Sequence, residues 1–429
     1  MKQSGYNFFI QRGDETLCFN AISLKHFSIN SKKADALTHV LNHPESYKDK
    51  LPNLYTNLLE GHFINDEVVN EIDVIREHYY NQVYSKNYKL VLLPTLECNF
   101  RCWYCVQSHV KGMMTESMIS RVCNHIEHMI KHEKITSLNV DWFGGEPFLY
   151  FEKVIKPISE FARKICKEYD IPFFSTATSN AYLVNPEVID QMIDYNFTSF
   201  QITIDGDRDH HNKTRVSKKS SSFDTILNNL NYLCSKIEDI SITLRINYDD
   251  QNLYPARIIN QINEIIHSSN KHKITFLFRK IWQVVQVKDD RSKLKEALNL
   301  LADLGYKNAI DFNSNYVPCY ASQKYYNTIS FNGNVYKCTA KNSMHENSLG
   351  HLNGDGTIKW NIDDFERKYY KQPLFENDKC LKCKYLPLCM GPCSRRLEDN
   401  GLEKPKFYCT GRANGFKFED TILSYCEQN

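Results

Sequence analysis

Between residues 88 and 305, short apolar runs alternate with longer stretches in which apolar residues recur every three to four positions. That is the pattern of parallel strands joined by crossover helices. It predicts strands at Tyr88–Pro94, Ser137–Phe143, Phe173–Ser179, Ser199–Asp205, Ser241–Asn247 and Ile274–Arg279. Each is followed by a helical period such as Met118, Val122, Ile126 and Met129. Six βα units predict an α/β fold, an open partial (β/α)6 barrel rather than a flat doubly wound sheet. In such barrels chemistry belongs to the loops at the C-terminal ends of the strands. Ahead of the barrel, alternation around Tyr6–Gln11 and Glu15–Asn20 and helical periods near Ser31–Asn42 and Asp66–Asn81 predict a small α+β domain over residues 1–87. Beyond residue 305 regular periodicity gives way to a turn-rich third domain, 306–429, with a hairpin signal at Phe331-Asn-Gly-Asn-Val-Tyr336.

A chain of 429 residues is long enough for these three parts. Its 53 basic and 51 acidic side chains leave a net charge of +2, too small for the field that draws a protein onto nucleic acid or a membrane surface. The N-terminus lacks the basic-then-apolar order of a signal peptide and no run of 18 apolar residues occurs, so the expected location is cytoplasmic, where thiols stay reduced. Fifteen cysteines then call for an explanation other than disulfides, and their clustered spacing matches metal ligation. Cys18, Cys123, Cys166 and Cys234 stand apart in apolar or helical stretches and read as packing residues.

The first cluster, Cys98-x3-Cys102-x2-Cys105, directly follows the first barrel strand. Three thiolates within eight residues suit a cubane with one open iron, and an open coordination position is what a catalytic metal site needs. A zinc site lacking its fourth ligand is the alternative, although zinc sites favour CxxC pairs. The segment resembles the radical SAM superfamily, whose motif is CxxxCxxC with an aromatic residue, here Tyr104, before the last cysteine. The resemblance spans roughly residues 88–305. It implies a 4Fe-4S cluster on Cys98, Cys102 and Cys105 and S-adenosylmethionine bound at the open iron. Reductive cleavage of the cofactor would release a 5′-deoxyadenosyl radical, with Tyr104 near the adenine.

The second strand leads into Phe143-Gly144-Gly145-Glu146-Pro147, a further family motif that implies a site for the methionyl amine. Glycines let backbone approach a ligand closely, and a carboxylate accepts from an amine. Ser179 and Asn180 end the third strand, and Thr203 and Asp205 the fourth, resembling the family's cofactor-contacting strand ends; Arg215 and Arg245 are cations for the cofactor carboxylate or structural arginines.

The later cysteines run Cys319, Cys338, Cys380-x2-Cys383-x5-Cys389-x3-Cys393 and Cys409. Paired zinc knuckles would also use CxxC pairs. The array resembles the seven-cysteine SPASM motif, which implies two auxiliary 4Fe-4S clusters and so three in all. By that resemblance Cys380, Cys383, Cys389 and Cys409 hold the distal cluster and Cys319, Cys338 and Cys393 the proximal one. Tyr320–Tyr325 holds no further cysteine. The last proximal ligand is then a remote residue such as Cys426, or a substrate thiolate at an open iron.

SPASM enzymes serve several reactions. The anaerobic sulfatase-maturing branch has a catalytic aspartate after the hairpin cysteine, whereas Cys338 is followed by Thr339. The N-terminal segment resembles the winged-helix-like domain with which radical SAM peptide maturases dock the leader of a ribosomally made precursor, by strand addition. The expected function is therefore a peptide maturase forming a thioether or carbon–carbon crosslink, supplied with electrons by a flavodoxin or ferredoxin. A peptide epimerase, a protein-residue oxidase and a non-catalytic iron–sulfur scaffold are the alternatives.

Overall fold

The computed structural model of the chain describes residues 1–215, 221–281, 283–284, 291–309, 318–343, 345–370, 373–391, 393–399 and 418–428. They gather into two compact units. One comprises Met1–Ser85, Phe312–Lys324 and Asp364–Asn429, the other Lys86–Asp311 and Tyr325–Asp363.

In the first unit β1 (Lys2–Gln3) pairs antiparallel with β5 (Ile64–Asn65), and β2 (Asn7–Arg12), β3 (Glu15–Asn20) and β4 (His26–Asn30) form an antiparallel meander. The two-residue turn between β2 and β3 begins with Gly13 at φ +59°, the left-handed conformation that glycine adopts without strain. Helices α1 (Ala34–Asn42), α2 (Pro52–Glu60) and α3 (Glu71–Val83) complete this α+β part. Cys18 packs with Leu37, Val40, Leu41, Tyr55, Leu58, Phe63 and Ile64 in its core, as a packing cysteine should. Helix α2 was not foreseen; it starts on a proline and buries only Tyr55 and Leu58, too few positions to show a period.

The second unit contains every expected barrel strand: β6 (Asn87–Leu93), β7 (Ser137–Trp142), β8 (Phe173–Ser179), β9 (Phe197–Asp205), β10 (Ser241–Tyr248) and β11 (Ile274–Lys280). They lie side by side in chain order and all are parallel. The sheet is larger than the sequence implies. The short β12 (Lys307–Ala309) extends the β11 edge, and β13 (Tyr326–Ser330) pairs parallel with β6 on the other side. From β13 the chain turns at Gly333 (φ +87°) into the antiparallel β14 (Asn334–Tyr336), β15 (Gly350–Leu352) and β16 (Ile358–Trp360), so the hairpin signal marks a continuation of the main sheet.

The two faces of this sheet differ, and that difference positions the site. Leu90, Leu92, Val140, Trp142, Ile202, Ile204, Leu244 and Ile246 point to one face. They share a core with residues of α4 (Glu116–His128), α5 (Lys156–Glu168), α6 (Pro186–Met192), α7 (Ser222–Lys236) and α8 (Pro255–Asn263). Positions between them carry Lys89, Asn139, Asp141, Thr176, Gln201, Thr203, Arg245 and Asn247. Parallel strands covered by helices on both faces are apolar throughout. Here the face is largely polar, apart from Val91 and Leu93 of β6, and is tied together by a Lys89–Asp141 ion pair of 2.9 Å and a Thr176–Asn139 hydrogen bond of 3.2 Å.

Candidate functional site

The cysteine loop leaves the end of β6 and is closed at its base. Thr95 bridges Met113, the Met114 amide donates to the Pro94 carbonyl at 2.9 Å, and a Glu97 carboxylate oxygen accepts from the Gly112 amide at 2.8 Å and the Tyr150 hydroxyl at 3.2 Å. Cys98 and Cys102 are half-buried, Cys105 is exposed, and all three are free thiols. The Phe100 amide donates to Cys98 Sγ at 3.4 Å, and Asn180 Nδ2 lies 3.8 Å from that sulfur and 2.7 Å from Asn99 Oδ1. Burial, reinforced by Glu146, pushes the Cys98 thiol up to about 12. As a thiolate it would be stabilised by a neighbouring cation, and the buried Asn99 Nδ2 has no hydrogen-bond partner among the described residues. Among the described residues no three cysteine, histidine or acidic side chains are drawn together as a preformed metal site, but three reduced thiols on one loop are the donor set that an iron–sulfur cluster uses.

The glycine motif is pressed against this loop. The ladder of β6 and β7 runs on past the strand ends, with Gly145 N donating to Thr95 O at 3.2 Å and Glu146 N to Glu97 O at 2.8 Å. A Cβ at position 144 would stand 2.4 Å from Thr95 O, and one at 145 would stand 2.1 Å from Glu97 O. Glu146 caps the one-turn helix Pro147–Tyr150. Its carboxylate is fully buried and accepts from Phe148 N (3.1 Å), Ser179 Oγ (2.8 Å) and Asn180 N (2.8 Å). Glu146 thus joins the end of β7 to the end of β8. Burial outweighs these donors and raises the carboxyl to about 7.

A carboxyl raised on folding contributes stability while protonated and loses it as pH rises from the unfolded value of 4.5 through about 7. Between about pH 5 and pH 8 the wild type should lose about 3 kcal/mol relative to Glu146→Gln. Urea midpoints of the two chains across that range check this; parallel profiles would show that Glu146 ionises normally.

At the ends of β9 and β10 a buried network holds the aromatic residue of the cysteine motif. The Tyr104 hydroxyl donates to the Asp205 carboxylate at 2.6 Å and accepts from Arg215 Nη2 and Asn247 Nδ2, each at 3.1 Å. Arg215 Nε is ion-paired with Asp205 at 3.1 Å, so Asp205, though fully buried, has two strong partners. Burial opposes the charge of Arg215 but Asp205 outweighs it and keeps the guanidinium ionised. The Asp205 amide donates to His211 Nδ1 at 3.2 Å, and burial holds that imidazole neutral. Arg245 Nε donates to Asn247 Oδ1 at 2.8 Å, and Thr203 lies opposite Arg245 in the β9–β10 register. Gln283 Nε2 donates to the Tyr104 carbonyl at 2.8 Å.

The structure therefore gathers Cys98, Cys102, Tyr104, Cys105, Gly144, Gly145, Glu146, Pro147, Ser179, Asn180, Thr203, Asp205, Arg215 and Arg245 at the C-terminal ends of β6 to β10. It adds Glu97, Asn99, Asn247 and Gln283. Asn247 was legible as the last inward position of its strand; Glu97, Asn99 and Gln283 act through loop closure that periodicity does not report. Tyr104→Phe removes a donor to Asp205 and the acceptor of Arg215 and Asn247. It should cost about 2 kcal/mol of stability and lower S-adenosylmethionine cleavage about tenfold or more. Equal denaturation midpoints and equal cleavage rates would contradict the network's role.

The remaining cysteines fall in both units. Cys338 is buried beside β14, in the unit of the parallel sheet. In the other unit the Cys383 amide donates to the Cys380 carbonyl at 2.9 Å, and the short helix Leu386–Cys389 ends in Met390 and Gly391 at positive φ. A hydrogen bond of 2.7 Å between Ser322 Oγ and Ser394 Oγ joins the turn after Cys319 to the segment after Cys393. A groove of about 550 Å³, lined by Lys2, Tyr6, Glu71, Lys382 and Cys383 among others, lies in the same unit. Cys426 is on the helix Phe418–Gln428, and Cys409 lies outside the described residues. Phe365, Tyr369 and Tyr370 are buried, with the first two rings stacked at 4.9 Å, as expected of core aromatics. Cys166 and Cys234 are buried and Cys123 half-buried.

The site is thus a helix-backed parallel sheet whose first strand ends in a three-cysteine loop and whose second ends in a glycine pair. The radical SAM superfamily model matches residues 92–253 of the chain. A radical SAM domain implies S-adenosylmethionine and an iron–sulfur cluster. The structure of native anSMEcpe with bound AdoMet shares the fold with a TM-score of 0.56 at 16% identity, covering 80% of this chain and 100% of that one. The same protein with bound AdoMet and Cp18Cys peptide matches equally, with TM-score 0.56, 16% identity and the same coverage. Streptococcus suis SuiB bound to precursor peptide SuiA aligns over 95% of this chain and 99% of that one at 16% identity, with a TM-score of 0.48. An uncharacterized protein of Methanocaldococcus jannaschii is 24% identical over 193 residues, 42% of this chain and 53% of that protein, so the match spans about half of that relative's length. No helix among the described residues is long and apolar enough to cross a membrane.

Proposed function

We propose that the chain is a radical SAM peptide maturase that abstracts hydrogen from a precursor peptide and forms a thioether or carbon–carbon crosslink within it. The observation that carries this reading is the cysteine loop held over a polar sheet face by the glycine motif and the Tyr104 network. Cys98, Cys102 and Cys105 would hold the 4Fe-4S cluster, which when bound supplies, with S-adenosylmethionine, a 5′-deoxyadenosyl radical. The protein's own part is to orient and exclude. Glu146, Ser179 and Asn180 fix the end of the site nearest Cys98, and the Asp205–Arg215 pair fixes Tyr104 at the other. A fold shared with anSMEcpe, solved with a Cp18Cys peptide, supports a peptide substrate.

Met1–Ser85 is read as the leader-docking part, for which the β2–β3–β4 sheet offers β2 and β4 as open edges. The C-terminal cysteines, with Cys380, Cys383 and Cys389 on one short run, are read as ligands of two auxiliary clusters that take up the second electron of a crosslinking reaction. Co-expression with a short peptide encoded nearby tests the reading by mass. A loss of two hydrogens per modification is the expected result. Unchanged mass with solvent deuterium incorporated would make the chain an epimerase, and modification of a leaderless peptide at the full rate would remove the docking role of Met1–Ser85.

A further inference from the structure

Past its third cysteine the loop runs through residues 106–111 before it closes at Gly112, and this stretch is tethered on both sides. Ser108 Oγ accepts from Asn342 Nδ2 at 2.6 Å and Gln107 Oε1 from the Ser343 amide at 3.3 Å, while at the far end the Gly112 amide donates to Glu97 at 2.8 Å. Between these ties stands His109 at φ +49°, a left-handed conformation that histidine tolerates better than bulky or β-branched residues but that still costs free energy. Its ring turns back along the chain, so that Nε2 lies 3.3 Å from Cys105 Sγ. Cys105 is the exposed thiol of the three and His109 is half-buried, so the imidazole stands where solvent would otherwise reach the sulfur. A thiolate has no proton to give, so the ring nitrogen that faces it is the N–H donor. The Cys98 sulfur has donors of its own, the Phe100 amide at 3.4 Å and Asn180 Nδ2 at 3.8 Å. His109 is the corresponding donor to Cys105.

We propose that His109 is a positioning residue for the cleavage cluster, its Nε2–H donating to the Cys105 thiolate and making the cluster on that thiolate easier to reduce. The inference rests on the reading of Cys98, Cys102 and Cys105 as the 4Fe-4S ligands. Reduction takes one electron from the low-potential donor protein and moves no proton. The sulfurs share the added negative charge, and a hydrogen bond to a sulfur strengthens as that sulfur becomes more negative. A fixed N–H at Cys105 therefore favours the reduced state, from which cofactor cleavage starts. Held by the loop, this donor is in place before the electron arrives, as a water at an exposed sulfur is not.

The test is a potentiometric titration of the full, anaerobically reconstituted chain with dithionite, followed on the EPR signal that S-adenosylmethionine perturbs. His109→Leu, which removes the donor, should lower the midpoint potential by about 59 mV, a tenfold shift in the one-electron equilibrium. His109→Gln, whose amide nitrogen can stand where Nε2 does, should recover most of that shift. An unchanged midpoint in His109→Leu overturns the proposal, and so does an equal drop in both variants, which would assign the effect to the conformation of the loop. Pulsed EPR of the reduced wild type carrying isotope-labelled histidine needs no variant to fold. A weak coupling to a histidine nitrogen is expected. No coupling overturns the hydrogen bond, and a coupling strong enough for a direct iron–nitrogen bond overturns it as well by making His109 a ligand. Absence of any EPR signal that responds to S-adenosylmethionine instead sinks the cluster reading itself and takes the role of His109 with it.

Discussion

Gly145→Ala is expected to lower stability by about 3 kcal/mol and to abolish cluster assembly at the first site. The added Cβ would lie 2.1 Å from Glu97 O and 2.5 Å from Leu96 O, both backbone atoms. They can yield only by moving the chain that leads into Cys98 and by pulling apart the bonds from Gly145 N to Thr95 O and Glu146 N to Glu97 O. Gly144 is no easier to replace, since its φ of +120° is one that side chains rarely adopt. Gly354→Ala is the matched control, with nothing within 4 Å of its new Cβ; it should change stability by less than about 0.5 kcal/mol. Urea denaturation and iron analysis of the two variants check the pair. A Gly145→Ala chain as stable and as iron-rich as the control would mean that the glycine motif is an ordinary turn.

The second large effect concerns the cluster count. Anaerobic reconstitution of the wild type should yield roughly 12 irons per chain, and replacement of Cys98, Cys102 and Cys105 together by alanine should leave roughly 8. The four that vanish belong to the loop after β6. The eight that stay would belong to the C-terminal cysteines, of which Cys380, Cys383 and Cys389 lie on one short run. A wild type holding about four irons would remove the auxiliary clusters.

Much of this is legible in the sequence because the strands that carry the site obey a simple rule. Leu90, Val140, Ile202 and Leu244 face helices while Lys89, Asp141, Thr203 and Arg245 lie on the opposite face of the sheet. The chemistry was legible because cysteines and glycines punctuate the ends of those strands. What escaped notice lacked periodicity or depended on distant pairing. All of Tyr326–Ser330 is buried, so β13 shows no alternation, and Lys307–Ala309 is too short to show any. The ion pair of Arg215 with Asp205 also could not be read from sequence. A short helix of about two turns, Arg208–Thr214, carries the arginine back over the strand end, and only that return decides that Arg215 meets Asp205 and the Tyr104 hydroxyl.

The central claim is that the loop of Cys98, Cys102 and Cys105 supports reductive cleavage of S-adenosylmethionine. The direct measurement is 5′-deoxyadenosine formed by the reconstituted, dithionite-reduced chain with S-adenosylmethionine, beside a Cys102→Ala chain treated alike. Steady formation of 5′-deoxyadenosine by the wild type and none by the variant is the predicted result. No 5′-deoxyadenosine from a wild type that holds its clusters, or equal amounts from both chains, would contradict it.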